Sequence, residues 1–330
     1  MSAPSLPFGP DFPWLAPLAG YTDLPFRLLC REQGAAVACT EMVSARGLVY
    51  GARRGRGGDG GTRSLLATRP PDAPLVVQLF GAEADFLAEA VRMLLDEGFA
   101  WFDLNLGCPA PKVARTGAGA ALLRNPRRAL DCARAMIAAA PPGRVGCKLR
   151  LGWDRPVFAE LGKALEDAGA GWLSLHPRFA CQGFSGMVRT EALSELAGAL
   201  SLPVLASGDL LTAREGADRL RTGAAGVLFA RGALADPTIF SRYRRILRGE
   251  EASSPLPPGA LRALILRHLE LAEKFSPRPA DGRNPGLLKM RSVVPRYIRH
   301  LAGAKQLRQD VIRCGSWEHL RRLVEEFFRL

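Results

Sequence analysis

Cys108 is the first candidate for chemistry in this sequence. The apolar run GFAWFDLNL ends at Gly107, and Pro109 follows the cysteine. Glycine and proline on either side of a residue favour a turn, which would present the thiol just past the carboxyl end of a strand. A lone cysteine is more often a small buried hydrophobe, whereas loops carry binding and catalytic groups. On this local pattern alone, both interpretations stay open.

Other polar residues stand at or after the ends of further apolar runs. Singly they have structural explanations: Gln78 could satisfy a loop carbonyl, and His176 could be a hydrogen-bonded core histidine. Lys148 lies within VGCKLRL, and because unpaired burial of a lysine is costly, it must face an anion or a polar cavity. The set at these run ends comprises Glu41, Gln78, Asn105, Lys148, His176, Ser207, Gly208, Asp209 and Arg231.

The elements that must position these residues alternate between short apolar runs and helical patterns such as ADFLAEAVRMLLDEG, NPRRALDCARAMIAA and VFAELGKALEDAG. This alternation predicts βαβ units and a parallel sheet. Eight units in about 230 residues match an α/β fold, the (β/α)8 TIM barrel. An open doubly wound sheet is the alternative, but no GxGxxG follows the first run. The predicted strands are Trp14–Ala19, Ala36–Met42, Leu75–Leu79, Trp101–Asn105, Val145–Leu149, Trp172–His176, Pro203–Ala206 and Gly226–Ala230.

A barrel would bring the polar residues together, because barrel active sites lie at the carboxyl ends of the strands. Two glycine-containing turns, SGD at 207–209 and ARG at 230–232, follow the seventh and eighth predicted strands. Barrels commonly bind phosphate at that place through loop amides. A lone SGD is an ordinary turn sequence, so the prediction depends on the pair.

The net charge of +13 is concentrated in the last quarter of the chain. Residues 241–330 contain 19 Lys and Arg against 9 Asp and Glu. A basic appendage on a nearly neutral body indicates a polyanionic partner, with nucleic acid the leading candidate. General arginine enrichment of the sequence is the alternative explanation.

From the sequence we expect neither a membrane-spanning nor a secreted, disulfide-bonded protein. The longest run without a charged residue, 196–208, is too short for a membrane span, which needs roughly 20 apolar residues. The start of the chain lacks the pattern of a signal peptide. Seven cysteines without a CxxC pair predict neither a disulfide framework nor a metal site, and they fit a cytoplasmic protein.

The ordered motifs of the chain resemble those of the tRNA-dihydrouridine synthases, bacterial-type flavoenzymes that reduce a uridine of transfer RNA. NLGCPAPKVARTGAGAALL looks like the active-site segment of that family. The other matching motifs are APLAGYTDLPFR, TEMVSA, VQLFG, KLRLGW, HPRFACQGFSG, ASGDL and ARGALADP. The resemblance covers about Trp14 to Phe240 and is weaker in the C-terminal tail.

The resemblance implies a bound FMN, with Gln78 and Lys148 at the polar edge of the flavin ring and His176 against the ring or the target base. Asn105 and Arg178 would contact the target uracil. The implied cofactor-binding residues are Pro17, Leu18, Ala19, Gln78, Lys148, His176, Ser207, Gly208, Asp209, Ala230 and Arg231.

The implied reaction needs one hydride and one proton. Reduced flavin would give a hydride to C6 of the uracil, with NADPH as the electron donor, and Cys108 would protonate C5. Cys181 is the competing acid, since its loop could also face the cleft. Because the target nucleotide lies in folded RNA, it must turn outward into the pocket.

The tail predicts a small C-terminal helical domain at residues 245–330, after a barrel at 1–244. It begins with the linker EEASSPLPPGA and continues with the helical patterns LRALILRHLELAEKF and HLRRLVEEFF. Between them, KMRSVVPRYIRHLAGAKQLRQ interleaves basic residues with Tyr297 and His300. This resembles the family's tRNA-binding domain, and a packing appendage with a solvated basic face is the alternative. We expect a monomer whose partner is tRNA.

The sequence departs from the family pattern at three positions. Pro177 and Phe179 stand where Gly and Thr are usual, and Ser207 replaces the usual Asn. Two other functions remain open on the sequence: a dihydroorotate dehydrogenase-like flavin barrel acting on a free pyrimidine, and a non-catalytic RNA-binding protein. The basic tail speaks against the first, and the retained Cys108 and Lys148 speak against the second.

Overall fold

The strands of the protein form one parallel sheet that closes on itself. A computed structural model describes residues 5–54, 61–251, 256–277, 282 and 284–329. Its strands are β1 Trp14–Leu15, β2 Val37–Cys39, β3 Val43–Ser44, β4 Leu75–Phe80, β5 Trp101–Leu106, β6 Val145–Gly152, β7 Trp172–Phe179, β8 Val204–Ala206 and β9 Gly226–Phe229.

The sheet closes because β1 pairs with β9 and β2 pairs with both β1 and β4. The ring therefore has eight parallel strands, and β3 adds a short pairing beside the carboxyl end of β4. The predicted (β/α)8 barrel is confirmed. Each predicted strand overlaps one strand of the ring, whereas β3 was not predicted.

Two predicted strands were too long. β1 was predicted to reach Ala19 but ends at Leu15, since Pro17 has no N–H with which to continue the pairing. β2 was predicted to reach Met42 but ends at Cys39. Beyond it, the hydroxyl of Thr40 donates to the Glu41 carbonyl and accepts from the N–H of Gln78, which redirects the chain.

The helices lie between and after the strands, and the three amphipathic patterns quoted above form the third, fifth and sixth of them. They are α1 Leu24–Glu32, α2 Ala45–Arg53, α3 Ala84–Asp96, α4 Pro111–Ala114, α5 Pro126–Ala139, α6 Phe158–Asp167, α7 Glu191–Ala199, α8 Ala213–Arg219, α9 Arg231–Ala235, α10 Ile239–Leu247, α11 Pro258–Phe275, α12 Pro285–Tyr297, α13 Ala304–Arg313 and α14 Trp317–Phe327.

A layer of aromatic rings fills the amino-terminal end of the barrel. The indoles of Trp14 and Trp172 stand 5.8 Å apart with an edge-on geometry, and Trp101 lies 6.3 Å from Trp172. Gly146 on β6 leaves room for this layer, because a Cβ there would overlap the indole of Trp172. The barrel is thus closed at this end.

Side chains alternate along a strand, so residues two and four positions after the aromatic layer also face inward. This period of two places Asp103 and Asn105 above Trp101, and Ser174 and His176 above Trp172. The inward residues near the carboxyl ends are polar, which creates the site described below.

Helices α11–α14 share a hydrophobic core of their own, which includes Ile265, Leu269, Val294 and Leu320. They contact the barrel through α1, where Leu24, Leu28, Leu29 and Leu271 form a small cluster. The predicted boundary after residue 244 falls inside α10, and the predicted linker lies partly outside the described residues, at 252–255. Within the described residues, no helix is long and apolar enough to cross a membrane.

Candidate active site

A cavity of about 750 Å³ opens at the carboxyl ends of the barrel strands. Most of the predicted residues line it, but Arg178 does not, and neither does Glu41, which instead accepts from the N–H of Gly20. The predicted residues that line it are Pro17, Leu18, Ala19, Gln78, Asn105, Cys108, Lys148, His176, Ser207, Gly208, Asp209, Ala230 and Arg231. No group of three or more His, Cys, Asp or Glu that could hold a metal ion occurs in the part of the chain that is described.

The turn that carries Cys108 is held by Asn105. The side-chain oxygen of Asn105 accepts hydrogen bonds from the N–H of Gly107 at 3.1 Å and from the N–H of Cys108 at 2.9 Å. On the other side, the Cys108 carbonyl accepts from the N–H of Ala120. Gly119 has a φ of 63°, and a Cβ there would lie 2.7 Å from the Cys108 carbonyl oxygen. The small residues of TGAGAALL therefore let that segment pack under the turn.

A buried relay of amides fixes the orientation of Asn105. The Asn105 amide donates to Gln78 Oε1 at 2.7 Å, and the Gln78 amide donates to Asp103 Oδ2 at 2.7 Å. A carboxylate only accepts hydrogen bonds, so Asp103 determines which way both amides point. The sequence analysis did not select Asp103, although it stands two residues before Asn105 on β5 and so faces the same side.

Burial shapes the charges at the bottom of the cavity. Burial raises the pKa of Asp103, and burial lowers the pKa of Lys148, while the attraction between these two groups opposes both shifts. Oδ1 of Asp103 has no hydrogen-bond partner among the described residues. Among the described residues, no carboxylate forms an ion pair with Lys148, which thus offers a cation to the cavity.

Arg150 is a second residue that the sequence analysis missed. Its guanidinium donates to the carbonyl of Gly107 at 2.9 Å, of Phe179 at 3.1 Å and of Gly183 at 2.7 Å. Burial and the nearby charge of Arg178 lower the pKa of Arg150 to about 10, so it stays cationic at neutral pH. It stands two residues after Lys148, and the period of a strand was the signal that could have identified it.

His176 is a neutral imidazole in this environment. Burial, together with the charges of Lys148, Arg150, Arg178 and Arg231, lowers the pKa of His176 to about 2. Gly208, with a φ of 90°, packs directly against the imidazole and leaves no room there for a Cβ. A neutral histidine can donate one hydrogen bond and accept another, but it supplies no positive charge.

Asp209 binds two arginines at the SGD turn. Its carboxylate accepts from Arg178 Nη2 at 2.5 Å and from Arg231 Nη2. The hydrogen bond from Arg178 lowers the pKa of Asp209. Arg178 also donates to the Gly186 carbonyl, which keeps its guanidinium buried behind the cavity wall. Asp209 thus positions cations, and any anion at this end would bind to those cations and to loop amides.

The sequence matches a known family over almost its entire length. Residues 14–329 match the sequence model of the family described as dihydrouridine synthase (Dus). The chain belongs to the dihydrouridine synthase family. It is 33% identical over 317 residues to tRNA-dihydrouridine synthase B of Pseudomonas syringae pv. tomato, which covers 95% of this chain and 90% of that protein. A probable tRNA-dihydrouridine synthase of Rhodobacter capsulatus is 34% identical over 303 residues, covering 91% and 89%.

Solved structures of the same barrel architecture are more distant in sequence. The old yellow enzyme homologue of Zymomonas mobilis superposes with a TM-score of 0.51 and 14% identity, over 82% of this chain and 93% of its own. A morphinone reductase variant in complex with tetrahydroNAD gives 0.52 and 15%, over 74% and 89%. At these identities the likeness shows the fold alone.

The departures from the family pattern are accommodated locally. The Pro177 carbonyl accepts from the N–H of Arg189, and the Phe179 ring lies 4.9 Å from the Arg189 guanidinium. The Phe179 N–H donates to Gln182 Oε1 at 2.8 Å. Ser207 keeps its place on the wall, with its N–H bonded to the Leu175 carbonyl. These contacts accommodate Pro177, Phe179 and Ser207 without disturbing the loop after β7.

A residue of the C-terminal helices also reaches the cavity. Arg296 on α12 donates to the hydroxyl of Tyr21 at 2.7 Å, and its guanidinium carbon lies 5.0 Å from the centre of the Tyr21 ring. Both residues line the cavity. They are 275 positions apart in the sequence, so sequence reasoning had no signal for this pairing.

The residues of the cavity fit a flavin mononucleotide. Pro17, Leu18 and Ala19 give an apolar wall, Lys148 gives a cation, and Arg231, whose side chain is 41% exposed, gives a donor for a phosphate. Gly208 also lines the cavity, and its lack of a Cβ lets the His176 imidazole pack beside it. Cofactor sites of this kind combine an apolar lining with a few polar groups that determine orientation.

Proposed function

We propose that the chain is an FMN-dependent tRNA-dihydrouridine synthase, which reduces the C5–C6 bond of a uridine in transfer RNA with NADPH as electron donor. The observation that carries the proposal is the position of Cys108. Its turn is held by Asn105 and Arg150 at the edge of a cavity whose composition suits a flavin. The names of the relatives in the same family agree with this activity.

The chemistry that FMN supplies when bound is hydride transfer to C6 of the uracil. The protein must then protonate C5, and the Cys108 thiol is the donor that we assign to this step. Donation by a positioned acid typically contributes 10²–10⁴-fold to the rate. The proton passes from sulfur to C5, the thiolate is left behind, and solvent restores the thiol before the next turnover.

Other residues bind and orient in this scheme. Gln78 and Lys148 would hold the polar edge of the flavin, where a cation also stabilises negative charge on the reduced ring. Ser207, Gly208, Asp209, Ala230 and Arg231 would hold the ribityl phosphate. His176 would accept or donate one hydrogen bond to the ring or the base, as its neutral state permits.

The two residues assigned to the uracil have different access to it. Asn105 lines the cavity but uses its side chain for Gln78 and for the Cys108 turn, so a contact to the base would share one of these bonds. Arg178 lies behind the wall and would reach the base only by releasing Asp209 or Gly186. Both remain predicted substrate contacts, and Asn105 is the more accessible of the two because it lines the cavity.

The C-terminal helices, predicted as the domain at 245–330, are proposed to bind the RNA. A groove of about 660 Å³ on α12 and α13 contains Arg291, Arg296, Arg299, Lys305 and Arg308, and no Asp or Glu among the described residues lines it. We call this surface the basic groove. Arg296 belongs to both the basic groove and the cavity, which gives a continuous cationic path for a polyanion between them. We expect the enzyme to act as a cytoplasmic monomer.

A free-pyrimidine dehydrogenase is the second candidate activity. A substrate the size of dihydroorotate would need neither the basic groove nor a cavity wall from a separate helical unit, so the Arg296 contact favours RNA. A non-catalytic RNA-binding protein would not need the relay that holds Cys108.

Nucleoside mass spectrometry tests the proposal directly. Unmodified transfer RNA is incubated anaerobically with the purified protein, FMN and NADPH, then digested. A gain of two hydrogens on one uridine is expected, and sequencing of the digest gives its position. A flavin-bound protein that leaves transfer RNA unchanged but reduces or oxidises a free pyrimidine would overturn the proposal. If the purified protein bound RNA but no flavin, it would be a non-catalytic RNA-binding protein.

A further inference from the structure

Phe184 is an exposed aromatic ring at the edge of the cavity. It lies on the loop after β7, lines the cavity and is 59% exposed. Single exposed hydrophobic residues are common on proteins and need no explanation by themselves. Phe184 differs because its loop is held in place by residues of the active site and because its ring stands among cations.

Two arginines hold the backbone on either side of the ring. Arg150 donates to the Gly183 carbonyl at 2.7 Å, and Arg178 donates twice to the Gly186 carbonyl, at 2.6 and 3.2 Å. Both glycines have positive φ, 58° and 72°, which forms the tight bend. A ring on a loop ordered in this way loses little further conformational entropy when it binds a planar partner.

The surroundings of the ring match the chemistry of a nucleotide. The Arg231 guanidinium carbon lies 4.6 Å from the ring centre, and that of Arg150 lies 5.4 Å away. The His176 ring is 6.3 Å away, on the cavity side. The exposed part of the ring is free to stack, and the adjacent cations attract phosphate. Stacking on an aromatic ring beside cations is how proteins bind unpaired nucleotides.

We propose that Phe184 is a stacking platform for the nucleobase next to the target uridine. This rests on the proposed function, because it needs an RNA whose target base enters the cavity. Extruding a nucleotide unstacks its neighbours, and a ring at the mouth would replace one of the lost stacking contacts. Each base stacked on an aromatic side chain changes affinity by about 5- to 150-fold.

The test compares Phe184→Ser, Phe184→Trp and the control Met187→Ser. Met187 is on the same loop and is 85% exposed, but it does not line the cavity. For Phe184→Ser we expect KM for transfer RNA to rise about 5- to 150-fold. Phe184→Trp keeps a stacking face and should retain a KM close to that of the wild type, as should Met187→Ser.

The flavin content and the rate of flavin reduction by NADPH distinguish stacking from a structural role. Neither involves RNA, so both should be unchanged in Phe184→Ser. An unchanged KM in that variant would overturn the stacking platform, and loss of flavin would show that the ring covers the cofactor instead.

Failure of the proposed reaction can be told apart from failure of the stacking platform. If the wild type makes no dihydrouridine, the reaction is refuted, and direct titration with transfer RNA still tests the stacking platform. Weaker binding by Phe184→Ser than by Met187→Ser would support it, and equal binding would overturn it.

Discussion

Arg150 donates a hydrogen bond of 2.9 Å to the carbonyl of Gly107, the residue before the proposed acid. The same guanidinium also holds the loop after β7 through Phe179 and Gly183. One buried cation thus ties together the turn that presents Cys108 and the loop that presents Phe184. The relative position of these two segments depends on the planar, multidentate geometry of arginine.

Arg150→Lys should therefore disturb both segments while keeping the positive charge. A lysine ammonium cannot reproduce the fork of donors that meets the three carbonyls. Leaving a buried carbonyl unsatisfied costs about 1–3 kcal/mol of unfolding free energy, and misplacement of a reacting group by about 1 Å can cost 10²-fold in rate. We expect kcat to fall by about 10- to 100-fold and the midpoint of chemical denaturation to shift downward.

Arg155→Lys is the matched control, because Arg155 is exposed in the loop that follows β6, the strand that carries Arg150. It should leave both quantities unchanged. Wild-type kcat in Arg150→Lys would show that the carbonyl contacts do not position the turn.

Cys108→Ala should keep the flavin and lose turnover. The expected fall in the rate of flavin reoxidation by transfer RNA is about 10²–10⁴-fold, measured in a single anaerobic turnover with prereduced enzyme. Cys181→Ala is the control, since Cys181 is exposed and also lines the cavity. If Cys181→Ala were the slow variant and Cys108→Ala turned over normally, Cys181 would be the acid.

The amide relay predicts the outcome of a double-mutant cycle in unfolding free energy: Asp103→Asn should stabilise the Gln78→Glu variant, although it removes a hydrogen-bond acceptor from the wild type. Gln78→Glu would place two carboxylates 2.7 Å apart in the core, and burial of an uncompensated charge costs about 3–5 kcal/mol. Adding Asp103→Asn restores the pattern, because the new amide donates to Glu at 78, which still accepts from Asn105. We expect the double variant to be more stable than Gln78→Glu alone, with unfolding free energies measured by urea denaturation.

The cycle has a clear negative result. If Asp103→Asn made Gln78→Glu less stable, or left it equally unstable, donor and acceptor polarity would not control this contact. Bound flavin adds to the unfolding free energy, but both compared variants carry the same change at Gln78, so its effect on flavin binding enters both measurements.

The barrel and most of its cavity wall could be predicted because apolar runs report buried strands directly. Cys108, Lys148 and the SGD turn stood out as polar or turn residues that interrupt such runs. Asp103 and Arg150 were missed, although both lie two residues from a selected position on the same strand. Both residues face the same side of the strand as the selected position, which the strand period of two indicates.

Other features depended on contacts distant in sequence. The early end of β2 follows from the Thr40 hydroxyl, which accepts from the N–H of Gln78 on β4. The end of β1 is different, because Pro17 marks it in the sequence itself. The contribution of Arg296 to the cavity depends on how α12 packs beside Tyr21, which no local pattern encodes. The burial of Arg178 behind Asp209 is of the same kind.

The basic groove predicts a strong dependence of RNA binding on salt. Each cation that contacts phosphate contributes about 0.7–0.9 to the slope of log K against log of salt concentration. Arg299→Gln combined with Arg308→Gln should reduce that slope by about 1.4–1.8. Arg221→Gln is the control: it precedes β9, at the opposite end of the barrel, and its side chain is 83% exposed beside Asp218. Equal slopes for the wild type and the double variant would place the RNA elsewhere.

His268 predicts how stability changes with pH. It lies on α11, buried against α1 and α12, with Nδ1 2.9 Å from the hydroxyl of Tyr297 and its ring 5.7 Å from Phe26. Burial lowers the pKa of His268 to about 4, with Asp23 raising it and Lys289 lowering it by smaller amounts. Between pH 6.5 and 4 the unfolded chain binds a proton that the folded protein does not, so this group makes stability fall as the pH falls.

His268→Gln keeps a hydrogen-bonding side chain and removes the titration. From pH 6.5 to 4.5, the wild type should lose about 2 kcal/mol more unfolding free energy than the variant. At pH 8 both side chains are neutral, so the difference between the proteins there measures packing alone. The comparison also cancels the opposite contribution of Asp103, whose raised pKa makes the folded protein bind the extra proton. Parallel pH profiles for the two proteins would show that folding does not lower the pKa of His268.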